Sequence, residues 1–167
     1  MSQLPFIIIV SFVVFDFVVF GGLFLLAASS RANRPTGVGK GDLLLDTGKP
    51  NFVSSVSTHP ERKIEPLRYS VADAIAWAAA VEVVSARNGI KVVRSHDFHL
   101  YAECRSPLFG FVDDLELVLH PGAGFIHVRS ASRVGYSDLG ANRTRVEALR
   151  EAFAEALTAR LGPGSEN

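Results

Sequence analysis

Apolar residues run almost unbroken from Leu4 to Ala28, in LPFIIIVSFVVFDFVVFGGLFLLAA, and nowhere else does the chain keep polar groups out for so long. About 25 residues at 1.5 Å rise each make a helix of roughly 37 Å, longer than the ~30 Å hydrocarbon core of a bilayer. The pattern predicts one transmembrane helix over residues 4–28. A cleaved signal peptide has a shorter apolar core of about 7–15 residues and a basic start. Here the start, Met-Ser-Gln-Leu-Pro, brings only its terminal amine, although Leu26-Ala27-Ala28 supplies small residues that would suit cleavage. Asp16 interrupts the run. A carboxylate at mid-bilayer costs about 2.5–3.5 kcal/mol, against some eighteen Leu, Ile, Val and Phe residues contributing roughly −0.3 to −0.6 kcal/mol each. The apolar sum prevails, and the helix should insert. Asp16 is either an inert, protonated or snorkelling acid, or an intramembrane contact with another membrane protein. Gly21-Gly22 allows a close helix approach but does not form a GxxxG motif.

The pattern then changes. Residues 29–48 mix Arg, Pro, Gly, Asp and Lys around the single triplet Leu43-Leu44-Leu45 and read as a linker. Gly37-Val38-Gly39-Lys40-Gly41 lacks the GxxxxGK[ST] spacing and follows no strand, which argues against a phosphate loop. A domain over residues 49–162 follows, with a short tail at 163–167. Its opening stretch, Pro50 to Pro66, is irregular. Ser70-Val71-Ala72-Asp73 predicts a helix start with Ser70 as N-cap, running to Arg87 and ending at Asn88-Gly89, with Trp77, Val81 and Val84 on one face. Four strands are predicted, about Lys91–Ser95, Phe98–Arg105, Val112–His120 and Phe125–Ala131. In the second, Phe98, Leu100, Ala102 and Cys104 alternate with His99, Tyr101, Glu103 and Arg105. His120-Pro121-Gly122-Ala123-Gly124 suits a hairpin, and only one register keeps the apolar residues together: Leu119 opposite Ile126, Leu117 opposite Val128, and hence Glu116 opposite Arg129. That ion pair is worth at most ~1 kcal/mol if exposed. A last helix, about Leu139–Leu161 with Asp138 as N-cap, carries the stripe Val146, Leu149, Phe153 and Leu157. The expected fold is α+β: a transmembrane helix, then a four-stranded antiparallel sheet packed by two helices.

Charge narrows the function classes. With 17 basic and 17 acidic residues the net charge is zero, which argues against nucleic acid as a partner. A single cysteine, Cys104, excludes an intramolecular disulfide and a multi-cysteine metal site. Arg31, Arg34 and Lys40 follow the apolar run and no Lys or Arg precedes it, so the positive-inside rule puts the domain in the cytoplasm.

Three segments carry a family resemblance: Pro50-Asn51-Phe52-Val53-Ser54-Ser55, Gly110-Phe111-Val112-Asp113-Asp114, and the stretch from Arg129-Ser130-Ala131-Ser132-Arg133 through Asn142-Arg143. Over roughly residues 49–155 the chain resembles the uncharacterised domain of unknown function 1499 family. The resemblance implies a shared domain but no established activity. Family members usually have Cys where this chain has Phe52, so a thiol role at that position does not transfer, and Cys104 is not its substitute in sequence.

The third segment is the densest polar cluster. Arg129, Arg133 and Arg143, with Ser137 and Asn142 in the turn and the first turn of the helix, suit an anionic ligand, since guanidinium forks and a helix N-terminus both favour negative charge. The competing reading pairs these arginines internally with Asp113, Asp114 and Asp138. Asp113 falls on the leucine face and needs a partner there, such as Arg133 or Ser132. Asp113 and Asp114 point to opposite faces of a strand and cannot form a side-by-side carboxylate pair. His96 and His99 are read as lying on opposite faces, and the other histidines as surface or turn residues, so no metal site is expected. Cys104 reads as a small core residue, and no serine sits in a GxSxG elbow. No catalytic residue and no cofactor is expected. Three functions remain open: a membrane-tethered, non-enzymatic binding or assembly module, a membrane-bound enzyme acting on an anionic substrate at the Arg-rich turn 129–145, or a purely structural subunit that docks through Asp16 and the anchor.

Overall fold

A computed structural model describes residues 4–34 and 48–161 of the chain. Gly37–Gly41, Leu43–Leu45 and the tail 163–167 lie outside the described residues. The elements are α1 (Leu4–Ala32), β1 (Phe52–Ser54), β2 (Leu67–Arg68), α2 (Asp73–Ser85), β3 (Ile90–His96), β4 (His99–Arg105), β5 (Val112–Leu119), β6 (Phe125–Ser132) and α3 (Ala141–Leu161).

The apolar run forms one helix, but the helix does not stop at Ala28. Ser29 to Ala32 continue it, which corrects the expectation of a linker from residue 29. Helical bonding outlasts the hydrophobicity: the Asn33 N–H closes on the Ser29 carbonyl at 3.0 Å, and Ser30 Oγ donates to the Ala27 carbonyl at 2.7 Å. By length and hydropathy residues 8–32 are a candidate membrane span, and a signal sequence near an N-terminus shares those features. Asp16 lies exposed on this helix.

The sheet is antiparallel with six strands rather than four, in the order β1-β6-β5-β4-β3, with β2 also pairing with β6. The two additional strands share the outer edge of β6. Phe52–Ser54 pair with Arg129–Ala131, and Leu67 and Arg68 pair with Ile126 and Phe125. Strands this short carry too few residues to show an alternation of their own. Between β5 and β6 the predicted register holds: Leu119 faces Ile126, Leu117 faces Val128 and Glu116 faces Arg129. Leu100 and Ala102 of β4 then fall opposite Leu117 and Leu115. One face of the sheet therefore gathers Leu100, Ala102, Leu115, Leu117, Ile126 and Val128 into a fully buried core.

Both helices of the domain belong to that core. The deepest residues of α2 are Ala76, Ala79, Ala80 and Val84, while Trp77 and Val81 pack at its flank. Alanines have no long side chain to hold the helix away from its neighbours. The helix begins at Asp73, not near Ser70, and Ala72 at its N-cap makes no side-chain bond. The Asp73 carboxylate is used elsewhere, accepting from the Tyr69 hydroxyl and the Gly122 N–H at 2.8 Å each. Helix α3 buries Val146, Leu149, Phe153 and Leu157 as the stripe predicts. It starts at Ala141 because Leu139 and Gly140 take φ of 52° and 82°, outside the helical region. Asp138 still caps the helix, accepting the Asn142 N–H at 2.8 Å.

The β3–β4 connection corrects another expectation. Asp97 and Phe98 take positive φ of 47° and 58° and form the turn, so β4 starts at His99. A two-residue turn folds the chain straight back on itself. His96 and His99 are consequently cross-strand partners with rings 6.2 Å apart, not residues on opposite faces.

Candidate functional site

Asp113 and Asp114 are adjacent on β5 and feed two polar clusters on opposite sides of the sheet. On the helix-covered side, Arg145 Nη2 donates to Asp113 Oδ2 at 2.7 Å. Arg145 is thus the partner that the buried-side carboxylate requires, rather than Arg133 or Ser132. Arg145 Nη1 also reaches Ser130 Oγ and the Asn142 side-chain carbonyl, at 2.8 and 2.5 Å. Asn142 is fully buried. Its side-chain amide donates to the Asn51 carbonyl and to Ser132 Oγ, both at 3.0 Å, and its carbonyl accepts from Ser130 Oγ at 2.7 Å. This one side chain joins the start of α3 to β6 and to the residue before β1.

The second face of the sheet is polar and nevertheless buried. Tyr101, Asp114, Glu116 and Arg129 are each at most 1 % exposed. Arg133 stands at the centre of the cluster. Its Nε donates to Asp114 Oδ1 and Oδ2 at 3.0 and 3.1 Å. Its Nη2 contacts Asp114 Oδ1 and Glu103 Oε1 at 2.7 Å each and the Tyr101 hydroxyl at 2.9 Å. The Tyr101 hydroxyl in turn donates to Asp114 Oδ1 at 2.8 Å. Burial and the neighbouring Asp114 push the Tyr101 hydroxyl up, so it stays a donor. Burial by itself would weaken the positive charge of Arg133, but the bonds to Asp114 and Glu103 prevail and raise its pKa. Burial likewise opposes ionisation of Glu103, yet hydrogen bonds from Arg133 and Arg34 hold it below its ordinary value.

The remaining donor of Arg133 ties the cluster to α1. Arg133 Nη1 donates to the Ser30 carbonyl at 3.1 Å, in the last turn of the helix, where a cation meets the negative end of the helix dipole. Ser30 Oγ accepts the Val112 N–H at 2.9 Å. Arg34 Nη2 reaches Glu103 Oε1 at 2.8 Å, and its guanidinium lies 4.9 Å from the Tyr101 ring centre. Arg31 Nη1 donates to the carbonyls of Phe109 and Gly110 at 3.2 and 3.1 Å. Ala27 and Ser30 have no exposed surface. The apolar helix is therefore bonded to the domain through its last two turns, with Tyr101, Glu103, Asp114 and Arg133 as the clasp.

A family model described as a protein of unknown function (DUF1499) matches residues 42–153, more than half of the chain. The chain belongs to the DUF1499 family. No curated protein matches it.

In this DUF1499 protein the three segments that carry the resemblance meet at one end of the sheet. Asn51 bonds to Asn142, Asp113 to Arg145, and Asp114 to Arg133. The residues considered for an anion site are not gathered around one opening. Arg133 has its donors engaged inside the clasp. Arg143 Nη2 donates to the carbonyls of Glu61 and Lys63 at 3.0 and 2.9 Å. Ser137 Oγ accepts the Leu139 N–H at 3.2 Å, and Asn142 lies in the cluster on the other face. Arg129 lies with Glu116 on the second face, as the register predicts, Nη1 to Oε1 3.9 Å, and the pair is buried. His99 Nε2 is 3.4 Å from Glu116 Oε2, and the Phe52 ring lies 5.6 Å from the Arg129 guanidinium.

The residues that sequence reading passed over are Ser30, Arg34, Tyr101 and Glu103. One signal was present: polar residues alternate on three neighbouring strands, and the predicted register brings acids beside bases. A polar stripe is ordinarily read as a solvated face, and here it is not. Cys104 lies on the core side, and burial pushes its thiol up to about 11, which leaves it a poor nucleophile. Among the described residues no group of three or more His, Cys, Asp or Glu is placed to hold a metal ion. Beside Glu103 a groove is lined by Gly89, Ile90, Lys91, Arg105 and Val112.

Proposed function

We propose that this DUF1499 protein is a membrane-tethered, non-enzymatic binding or assembly module whose domain is held rigidly against the end of its anchor. The observation that carries this reading is the clasp between Arg133 and the Ser30 carbonyl, with Arg34 on Glu103 beside it. A signal sequence is discarded and needs no fixed seat on the mature domain. Here Ala27 and Ser30 are as buried as core residues, so losing the helix would uncover part of the fold. A rigid connection suits a module that presents one surface at a set height above the bilayer. The domain faces the cytoplasm in this reading, since Arg31 and Arg34 stand just beyond the apolar run on the domain's side. Asp16, exposed on α1, is its contact with a second membrane protein. The alternative, an enzyme acting on an anionic substrate at turn 129–145, is less well supported because Arg133 and Arg143 are committed to partners within the chain.

The full chain, tagged at its C-terminus and expressed in its native host, tests the reading. Retention in the membrane pellet after alkaline carbonate washing, with the N-terminal helix still present by mass spectrometry, is expected. Release of a shortened product would reject the tether. Asp16→Leu should change the set of membrane proteins that co-purify in mild detergent, and an unchanged set would discard the Asp16 contact.

A further inference from the structure

The loop between β4 and β5, Ser106-Pro107-Leu108-Phe109-Gly110-Phe111, stands at the end of the sheet where α1 docks. It is apolar at its tip: Leu108 is 80 % exposed, and Pro107 beside it is exposed as well. The loop packs along α1, with aromatic rings on the apolar side and the Arg31 guanidinium on its Phe109 and Gly110 carbonyls. The Phe109 ring lies 6.0 Å from Phe20, and the Phe111 ring lies 6.1 Å from Phe109.

Phe20 sits well inside the apolar run. It precedes Ala28 by eight positions, roughly 12 Å along the helix. The run is longer than the hydrocarbon core, so the far boundary falls between about Leu23 and Ala28. Phe20, and the Phe109 ring against it, then lie roughly 5–12 Å inside that boundary.

The backbone that sends the Phe109 ring to that depth lies nearer the boundary, at the Arg31 guanidinium. Any part of it within the hydrocarbon must have its polar groups satisfied, because lipid offers no hydrogen bonds. This loop meets much of that demand by itself. The Ser106 N–H donates to the Phe111 carbonyl at 2.9 Å, and the Gly110 N–H to the Ser106 carbonyl at 3.1 Å. The Phe111 N–H donates to Ser106 Oγ at 3.0 Å. Arg31 takes the carbonyls of Phe109 and Gly110, and Pro107 has no N–H to satisfy.

From these three observations, apolar tip, depth beside Phe20 and internally bonded backbone, we propose that the Leu108–Phe109 loop inserts into the membrane as a second, shallow anchor, with lipid acyl chains as its partner. The proposal rests on the reading of α1 as a retained transmembrane helix. It gives the domain two points of attachment, so the sheet cannot swivel about the single helix. The β5–β6 turn at the far end of β5, roughly 23 Å from Val112, then points away from the bilayer.

The test places an environment-sensitive nitrobenzoxadiazole label at Leu108→Cys in the full chain, reconstituted in phosphatidylcholine–phosphatidylglycerol vesicles, with Cys104 left buried and unlabelled. His120→Cys at the distal turn and Val14→Cys in the helix serve as references. Emission at position 108 should shift to the blue, lose intensity with a doxyl group carried high on the acyl chain, and resist aqueous iodide. The label at 120 should respond to iodide alone. Full iodide quenching at 108 with no effect of doxyl lipid overturns the proposal. Shielding from both quenchers also overturns it, because the loop would then rest on protein. If the label at Val14, near the middle of the run, fails to respond to a doxyl group carried near the end of the acyl chain, the transmembrane reading itself falls. A quenched Val14 with an iodide-accessible 108 rejects the loop alone.

Discussion

Replacing Arg133 by leucine removes the centre of the clasp and leaves its acids behind. The side chains of Arg133 and Asp114 are each only 2 % exposed, so solvent does little to screen their attraction. Removing one member of a buried pair costs about 3–5 kcal/mol, because the other charge stays desolvated without its partner. Glu103 keeps Arg34, and Asp114 keeps the Tyr101 hydroxyl, so the cost falls mainly on Asp114. At about 4 °C per kcal/mol for a domain of this size, the melting temperature should fall by roughly 12–20 °C. Trp77, the single tryptophan, packs edge-on against Phe98 at 5.9 Å and reports unfolding by fluorescence in nanodiscs holding the full chain. The double variant Arg133→Leu, Asp114→Leu should recover most of the loss, since both charges are then gone. Arg133→Leu should also free the end of α1, so trypsin should cut after Arg31 faster than in the parent. A loss under about 1 kcal/mol, or a double variant as unstable as the sum of the singles, would refute a buried clasp.

Other outcomes follow from the same geometry. Asn142→Ala deletes a fully buried amide that serves Asn51, Ser130, Ser132 and Arg145, and should cost about 2–3 kcal/mol in urea unfolding. A near-neutral result would show that water takes its place. Cys104 should stay unreactive towards a disulfide reagent in the folded chain near neutral pH and react on unfolding, since burial pushes its thiol up to about 11. Rapid reaction of the native protein would contradict its place in the core. Acid should destabilise the fold in two steps. Burial, with His120 and Lys63 nearby, holds His127 below its ordinary 6.5, so the unfolded chain takes up that proton first and stability declines below that pH. Glu103, held below its ordinary 4.5 by Arg133 and Arg34 against the opposing effect of burial, adds stability above that pH that is lost as the medium becomes more acidic. Glu103→Gln should flatten the second step of melting temperature against pH, and an unchanged profile would remove Glu103 from the network.

Much of the fold was legible because it rests on repeating patterns. The alternation in β4, β5 and β6 set a register that a shift of one residue would have ruined, and Glu116 indeed faces Arg129. The stripe on α3 was equally plain. The candidate site was legible only in its residue types. Arg129, Arg133, Arg143, Ser137 and Asn142 are close in the chain, but the strand, the turn and the helix send them to different places. Whether an arginine in such a run awaits an anion or holds the fold depends on acids that come from other strands, such as Asp114 and Glu103.

By itself the sequence determined the long apolar helix, the pairing of the central strands and the buried stripe of α3. Each follows from the spacing of apolar residues within one segment, or across one short turn. Tertiary structure decided the rest: that β1 and β2 close the edge of β6, that a stripe of polar residues is buried, and that Arg133 grips Ser30 from 103 positions away. Contacts between distant segments depend on how whole layers stack, and no local period encodes which polar face another part of the chain will cover.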